Sequence, residues 1–265
     1  MTWIITGEQK NNWTPADIDT ALWLDAADAS TITESGGAVS QWDDKSGNGR
    51  SVSQSDASYR PSTNTRTING VNAIECNPAS ATEAKMLFTT SSVFSGTPNV
   101  LIAQVVLFDS FLSTSDRASQ ISFGQGTSIA FAAGSQGYSA RYNDGNEVYT
   151  SGTTGVPIIQ IGTYPAGGQY QDARMYINGL ELSRTSGVND SNTINLLNGF
   201  SVGGGAIGVE ALGTRSEALD GLIGEIIAVQ SLGSRQKLEG YLAHKWGLTA
   251  NLPADHPYKT AVPVP

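Results

Sequence analysis

Asp43-Asp44-Lys45-Ser46-Gly47-Asn48-Gly49 is the stretch whose side chains are densest in chemical function. Clustered carboxylates and loop carbonyls are hard oxygen ligands, so Asp43, Asp44 and Asn48 are candidate ligands for calcium, although no EF-hand spacing accompanies them. The same residues suit a loop knitted by its own hydrogen bonds, because Asp and Asn side chains bind backbone amides and Gly supplies positive φ angles. Elsewhere the catalytic inventory is thin. A Ser-His-acid triad would have to use His244 or His256, the two histidines. His244 falls on a helix beside Lys245 and His256 precedes Pro257 in the tail, so helix surface and tail packing account for both. Zinc has too few His and Cys to bind. Cys76 stands alone in a strand-like segment, which excludes an intrachain disulfide and fits a buried, inert thiol. A glycanase needs two carboxylates facing across a cleft. Glu225 sits by itself in an apolar strand, placed to accept hydrogen bonds near the sandwich edge. Gly203-Gly204-Gly205 lacks the Lys and helix of a phosphate loop. No catalytic residues are assigned, and the chain is read as non-catalytic.

Binding is better supported. Tyr138, Arg141, Tyr142, Asn143, Asp144 and Tyr149 cluster around one turn signal. Aromatic rings there could stack on sugar faces while the polar groups bind hydroxyls. Cross-strand packing explains a run of tyrosines equally well. The formal charge of −9 argues against nucleic acid and anionic membranes as partners, since phosphate recognition needs clustered Lys and Arg. No apolar run is long enough to span a bilayer, and the first residues lack the basic start and apolar run of a leader.

The elements that must position these residues are mostly strands. Gly numbers 30 and charged residues are 15% of the 265, a composition of many short strands joined by polar turns. The chain is organised around 219–258. Leu222, Ile223, Ile226, Ile227 and Val229 fall on both parities of an extended segment, which predicts a strand covered on both faces. Gly233-Ser234 then offers a stop and an N-cap. Leu238, Tyr241, Leu242 and Trp246 recur at helical spacing over 235–246, with Arg235, Lys237, Glu239 and Lys245 left for solvent. Gly247 fits the left-handed residue that ends a helix. Further back, Thr14-Pro15-Ala16-Asp17 reads as a capped helical turn, and Leu22-Trp23-Leu24 as a strand covered on both sides. Strands follow at 99–108, 118–125, 127–133, 138–143 and 157–164. Asn178-Gly179 is a hairpin signal. Trp23, Trp42 and Trp246 are assigned to the core. These elements predict an all-β fold, a two-sheet antiparallel sandwich of about thirteen strands with one C-terminal helix, which the resemblance given below implies to be a jelly roll. An arm and short turn occupy 1–19, and one domain occupies 20–265.

Trp23-Leu24-Asp25-Ala26-Ala27-Asp28, followed by Gln41-Trp42-Asp43-Asp44-Lys45-Ser46-Gly47-Asn48-Gly49, resembles the opening of a concanavalin A-like, laminin-G-like jelly roll. Leu238 through Leu248, with Leu252-Pro253 and His256-Pro257-Tyr258, is similar to the tail of that type. The resemblance spans about residues 20–260 and implies the fold far more narrowly than the function, because such folds host lectins, glycanases and scaffolds alike. It implies a structural or adhesive protein of a phage virion, a fibre, tail-associated or decoration protein. Its partners would be other virion proteins, further copies of itself or a cell-surface glycan. The alternative is a bacterial carbohydrate-binding or glycan-cleaving protein at the cell surface or outside it. In a virion array, Trp3, Ile4, Ile5 and Trp13 of the arm are candidate assembly contacts, since each exposed apolar side chain forgoes roughly 1.5–3 kcal/mol of burial. The arm could equally fold back along its own sandwich.

Overall fold

A computed structural model of the chain describes residues 12–80, 83–111, 118–123, 129–134, 137–142, 145–148, 152–184, 186–187, 200–203, 205–206, 215–216 and 218–265. The strands are β1 (Thr20–Asp25), β2 (Ile32–Ser35), β3 (Ala38–Trp42), β4 (Val52–Ser53), β5 (Thr67–Ile68), β6 (Val71–Asn72) and β7 (Ile74–Cys76). They continue as β8 (Leu87–Thr89), β9 (Val100–Ser110), β10 (Ala118–Phe123), β11 (Ile129–Gly134), β12 (Gly137–Tyr142), β13 (Gly145–Val148) and β14 (Pro157–Tyr164). The last are β15 (Arg174–Ile177), β16 (Leu180–Glu181), β17 (Ser186–Gly187), β18 (Phe200–Val202), β19 (Gly205–Ala206), β20 (Arg215–Ser216) and β21 (Asp220–Val229), before the helix α1 (Arg235–Lys245).

One sheet runs β1-β21-β9-β14-β15-β16, with β7 also paired to β21. The second large sheet runs β17-β13-β12-β11-β10-β18-β8-β4-β3-β2, and β5-β6 and β19-β20 form two small two-stranded sheets. The pairings are antiparallel, as in β21 against β9 and β11 against β12. Among the described residues the two large sheets hold seven and ten strands, more than the thirteen expected, because two- and three-residue strands such as β4 and β18 are too short to show a period.

Alternation along the long apolar strands makes the first sheet a middle layer. Leu22, Leu24, Ile102, Val106, Ile223 and Ile226 pack with Trp42, Val52, Leu87, Phe200 and Val202 between the sheets. Trp23, Leu101, Ala103, Val105, Ile227 and Val229 point the other way, onto Leu238, Leu242 and Trp246 of the helix region. The both-face burial expected for β21 is found, as is the packing of the helix onto the sandwich. Asn69-Gly70 and Asn178-Gly179 turn their hairpins with φ near +50° and +85°, the values that Asn and Gly tolerate best. Thr14 and Asp17 close a capping box around a short 3-10 turn.

The helix differs from its expected form in two respects. Ser234 makes no side-chain cap bond, because it already has helical φ and ψ and belongs to a 3-10 turn, Leu232–Ser234, that leads into α1. Glu239 and Lys245 do not face open solvent. Glu239 is fully buried between Arg235 and His256, and Lys245 is drawn under the sheet edge by Asp25 and Glu225. Gly247, at φ +66°, ends the helix as expected, with Leu248 N–H donating to Ala243 at 2.7 Å. The tail then returns along the helix. Tyr258 accepts a bond at its carbonyl from His244, and its ring lies where any Cβ on Gly240 would fall. Among the described residues no helix is long and apolar enough to cross a membrane.

Candidate functional site

The loop after β3 is built around one carboxylate. Asp44 Oδ1 accepts from the amides of Trp23 at 3.0 Å and Ser46 at 2.9 Å, and Oδ2 accepts from Ser46 Oγ and the Arg50 amide. Asn48 turns its NH2 group to the carbonyls of Thr20 and Ala21, and Asp43 accepts from Gln41. Each Asp44 oxygen is therefore met by two donors, and Asn48 offers hydrogens where a cation would need oxygen. This donor set does not fit calcium. Among the described residues no group of three or more His, Cys, Asp or Glu could hold a metal ion. The loop's bonds instead stitch it to β1.

That stitching sets Lys45 against the end of β1, where a charged cluster forms under the helix. Lys45 Nζ lies 2.8 Å from Asp25 Oδ2 and 2.8 Å from Asp28. Lys245 Nζ lies 2.6 Å from Asp25 Oδ1 and 2.7 Å from Glu225 Oε2. Glu225, paired across the sheet with Asp25, also accepts from Trp23 Nε1 at 2.6 Å, Tyr241 OH at 2.9 Å and Trp246 Nε1 at 2.8 Å. Burial raises the Glu225 carboxyl above its ordinary range against the pull of Lys245. Burial and the neighbouring carboxylates raise the Tyr241 phenol too. Burial alone would lower Lys45, but Asp25 and Asp28 outweigh it and raise its ammonium. Glu225 thus accepts from side chains, as its lone place in β21 implies, with donors from two separate segments, β1 and the C-terminal helix with its cap.

A concave feature rich in hydrogen-bonding side chains lies at the other end of the first sheet. A pocket of about 490 Å³ is lined by Gln171, Ala173, Arg174, Glu181, Leu182, Ser183 and Arg184, on and beside the β15–β16 hairpin. Arg174 Nε stands 3.6 Å from Glu181, both half exposed, and Arg184 donates to the Gln171 carbonyl at 3.4 Å. Nothing in the local sequence marks these residues. Donors and acceptors scattered over a 3-10 turn and an edge hairpin carry no period, and only the Asn178-Gly179 turn announces the hairpin that gathers them.

Of the binding candidates, Asn143, Asp144 and Tyr149 lie outside the described residues, and Tyr138, Arg141 and Tyr142 have described backbones on β12. Register separates the latter. The Arg141 row continues through Ala130, Ser122, Ser201, Phe88 and Ser53 to exposed Gln41. The Tyr142 row continues through Ile129 and Phe123 to Phe200, which is core. The two rows are adjacent ladders of the second sheet. β12, the strand that carries these candidates, approaches β15 of the pocket-bearing hairpin. Of the assembly candidates, Trp3, Ile4 and Ile5 lie outside the described residues. Trp13 is buried in its own chain, edge-on to Tyr241, with its amide bonded to the Pro263 carbonyl.

No protein-family model matches this sequence. No curated protein matches it. Its fold is similar to domain 4 of AbnA, an extracellular GH43 arabinanase of Geobacillus stearothermophilus solved with arabinotriose, at TM-score 0.53 and 12% identity over 80% of this chain and 93% of that one. It is also similar to the binding domain of a serotype D/C botulinum neurotoxin, at TM-score 0.50 and 11% identity over 82% and 50%. A sialidase of Trypanosoma rangeli in complex with sialic acid matches at TM-score 0.50 and 11% identity over 79% of this chain, which spans only 30% of that protein. Identities this low make the likeness one of fold. The fold is the concanavalin A-like sandwich expected above, two antiparallel sheets with one C-terminal helix.

Proposed function

We propose that this chain is a non-catalytic carbohydrate-binding module. The observation that carries the reading is the pocket beside the β15–β16 hairpin. Its volume of about 490 Å³ falls within the range of small-ligand sites, and its rim offers Arg174, Arg184, Gln171, Ser183 and Glu181. That set mixes fixed donors with acceptors, as a ring of sugar hydroxyls requires. The likeness to a domain solved with arabinotriose supports the same reading. Among the described residues of the lining Glu181 is the one carboxylate, whereas glycoside hydrolysis by the usual routes uses two, and this favours binding over cleavage. The setting we propose is an exposed surface that meets glycans, on a virion or on a bacterial cell, following the motif resemblance. A glycan array probed with the full chain tests the function. Selective retention on a family of related glycans is the expected result, with the glycans recovered intact. Uniform absence of binding would sink the reading, and release of shortened glycans would replace it with an enzyme.

A further inference from the structure

The cluster under the helix goes beyond sugar binding. We infer that Lys245 and Asp25 condense to form an amide bond between their side chains, stapling α1 to β1, with Glu225 as the proton-transfer group and Lys45 as the group that stabilises the oxyanion. Three observations place these parts. The Lys245 amine lies 2.6 Å from Asp25 Oδ1, so it touches the carboxyl it would attack. The same amine lies 2.7 Å from Glu225 Oε2, a fully buried carboxylate fixed by two indole N–H groups and a phenol. Asp25 is itself almost buried, and its other oxygen, Oδ2, rests 2.8 Å from the Lys45 ammonium, which Asp28 holds from the far side. Reacting groups held in contact at a partly buried site gain the effective concentration that makes a slow bimolecular step accessible, and a preset cation at the forming oxyanion lowers its barrier.

The step balances without an oxidant or co-reactant. The Lys245 ammonium passes one proton to Glu225, and the freed amine pair forms a bond to Asp25 Cγ. The carbonyl electrons move onto Oδ2 beside Lys45. The intermediate collapses by breaking the Cγ–Oδ1 bond. Oδ1 leaves as water with the proton returned by Glu225 and a second proton from the nitrogen. Lys245 thus loses two protons, Asp25 loses one oxygen, and Glu225 ends as it began. Two charges disappear from a region where burial penalises them. The closed loop spans 220 positions, in a chain whose single cysteine cannot form an intrachain disulfide. Cross-links that close long loops restrict the unfolded chain most.

Intact-mass spectrometry of the purified full chain under denaturing conditions tests this. The expected mass is lower than the sequence mass by one water, and a tryptic digest should yield a branched peptide joining the Asp25 and Lys245 segments. Lys245→Arg, which keeps the charge, should restore the full mass. Glu225→Gln should slow or abolish condensation. The full sequence mass in the wild-type chain after prolonged incubation would overturn the proposal. So would a water loss mapping to a succinimide at Asp144-Gly145 or Asp220-Gly221. The wild-type measurement stands whether or not the variants fold, and it is independent of glycan binding.

Discussion

At the scale of single residues, burial decides what the reactive side chains can do. Cys76 lies on β7 inside the core, and burial, aided by Glu75 and Asp220, pushes its thiol up to about 12. Folded protein at pH 8 should therefore resist thiol reagents, with one thiol appearing on unfolding. Rapid labelling of the native chain would show that β7 opens. Asp28 is shifted the opposite way. Its hydrogen bond to Lys45 leads, with Ser30 helping, and the carboxyl falls from the ordinary 3.8 to about 2. A carboxyl lowered by folding adds stability that is fully present above its unfolded value and is lost as pH falls through its folded value. The wild-type chain should thus lose this part of its stability between about pH 4 and pH 2. Asp28→Asn should show a shallower acid limb in thermal melts over that window. An unchanged slope would mean that solvent screens the pair. The fates of Cys76 and Glu225 were legible in the sequence, because a lone polar residue in an apolar strand has few options. Those of Lys245 and Glu239 were not. Helical periodicity assigns charged residues to solvent, and their partners Asp25 and His256 come from other segments, the first of them 220 positions away.

At the scale of elements, the long periodic segments spoke clearly. β21 and α1 emerge from apolar spacing alone, and Gly247, Asn178-Gly179 and Thr14-Pro15 mark turns and caps where only certain residues fit the backbone. Leu242, fully buried against the first sheet, ties the helix to the sandwich. Leu242→Ala should cost about 2–5 kcal/mol in urea unfolding, the range for deleting a buried leucine. A loss well under ~1 kcal/mol would mean that the helix contributes little to the core. Shorter strands were illegible because a pair of residues has no period. Val52–Ser53 earns its place through ladder bonds to β3 and β8 rather than through its own pattern. The serine cap failed for a related reason, since a 3-10 turn had already set the backbone that Ser234 inherits.

At the scale of the molecule, the layers explain where a ligand can bind. The helix and returning tail cover one face of the first sheet, and the second sheet covers the other. In the charged cluster Asp25 and Glu225 are buried by this arrangement and Lys45 and Lys245 are partly exposed, while the β15–β16 hairpin at the sheet's edge keeps its polar side chains open. Sequence alone singles out Tyr138 to Tyr149 as binding candidates, because aromatic clustering is visible along a chain, whereas the convergence of Gln171, Arg174, Glu181 and Arg184 on a pocket is not. The exposed Arg174–Glu181 pair adds little to stability, so replacing either residue should leave the fold intact. The most direct measurement is therefore a calorimetric titration of the full chain with the best glycan from the array, repeated with Arg174→Ala and Glu181→Ala. Binding should weaken about tenfold or more in each variant at unchanged melting temperature, the loss expected for one charge-assisted hydrogen bond. Undiminished affinity in both variants would contradict a site at this hairpin.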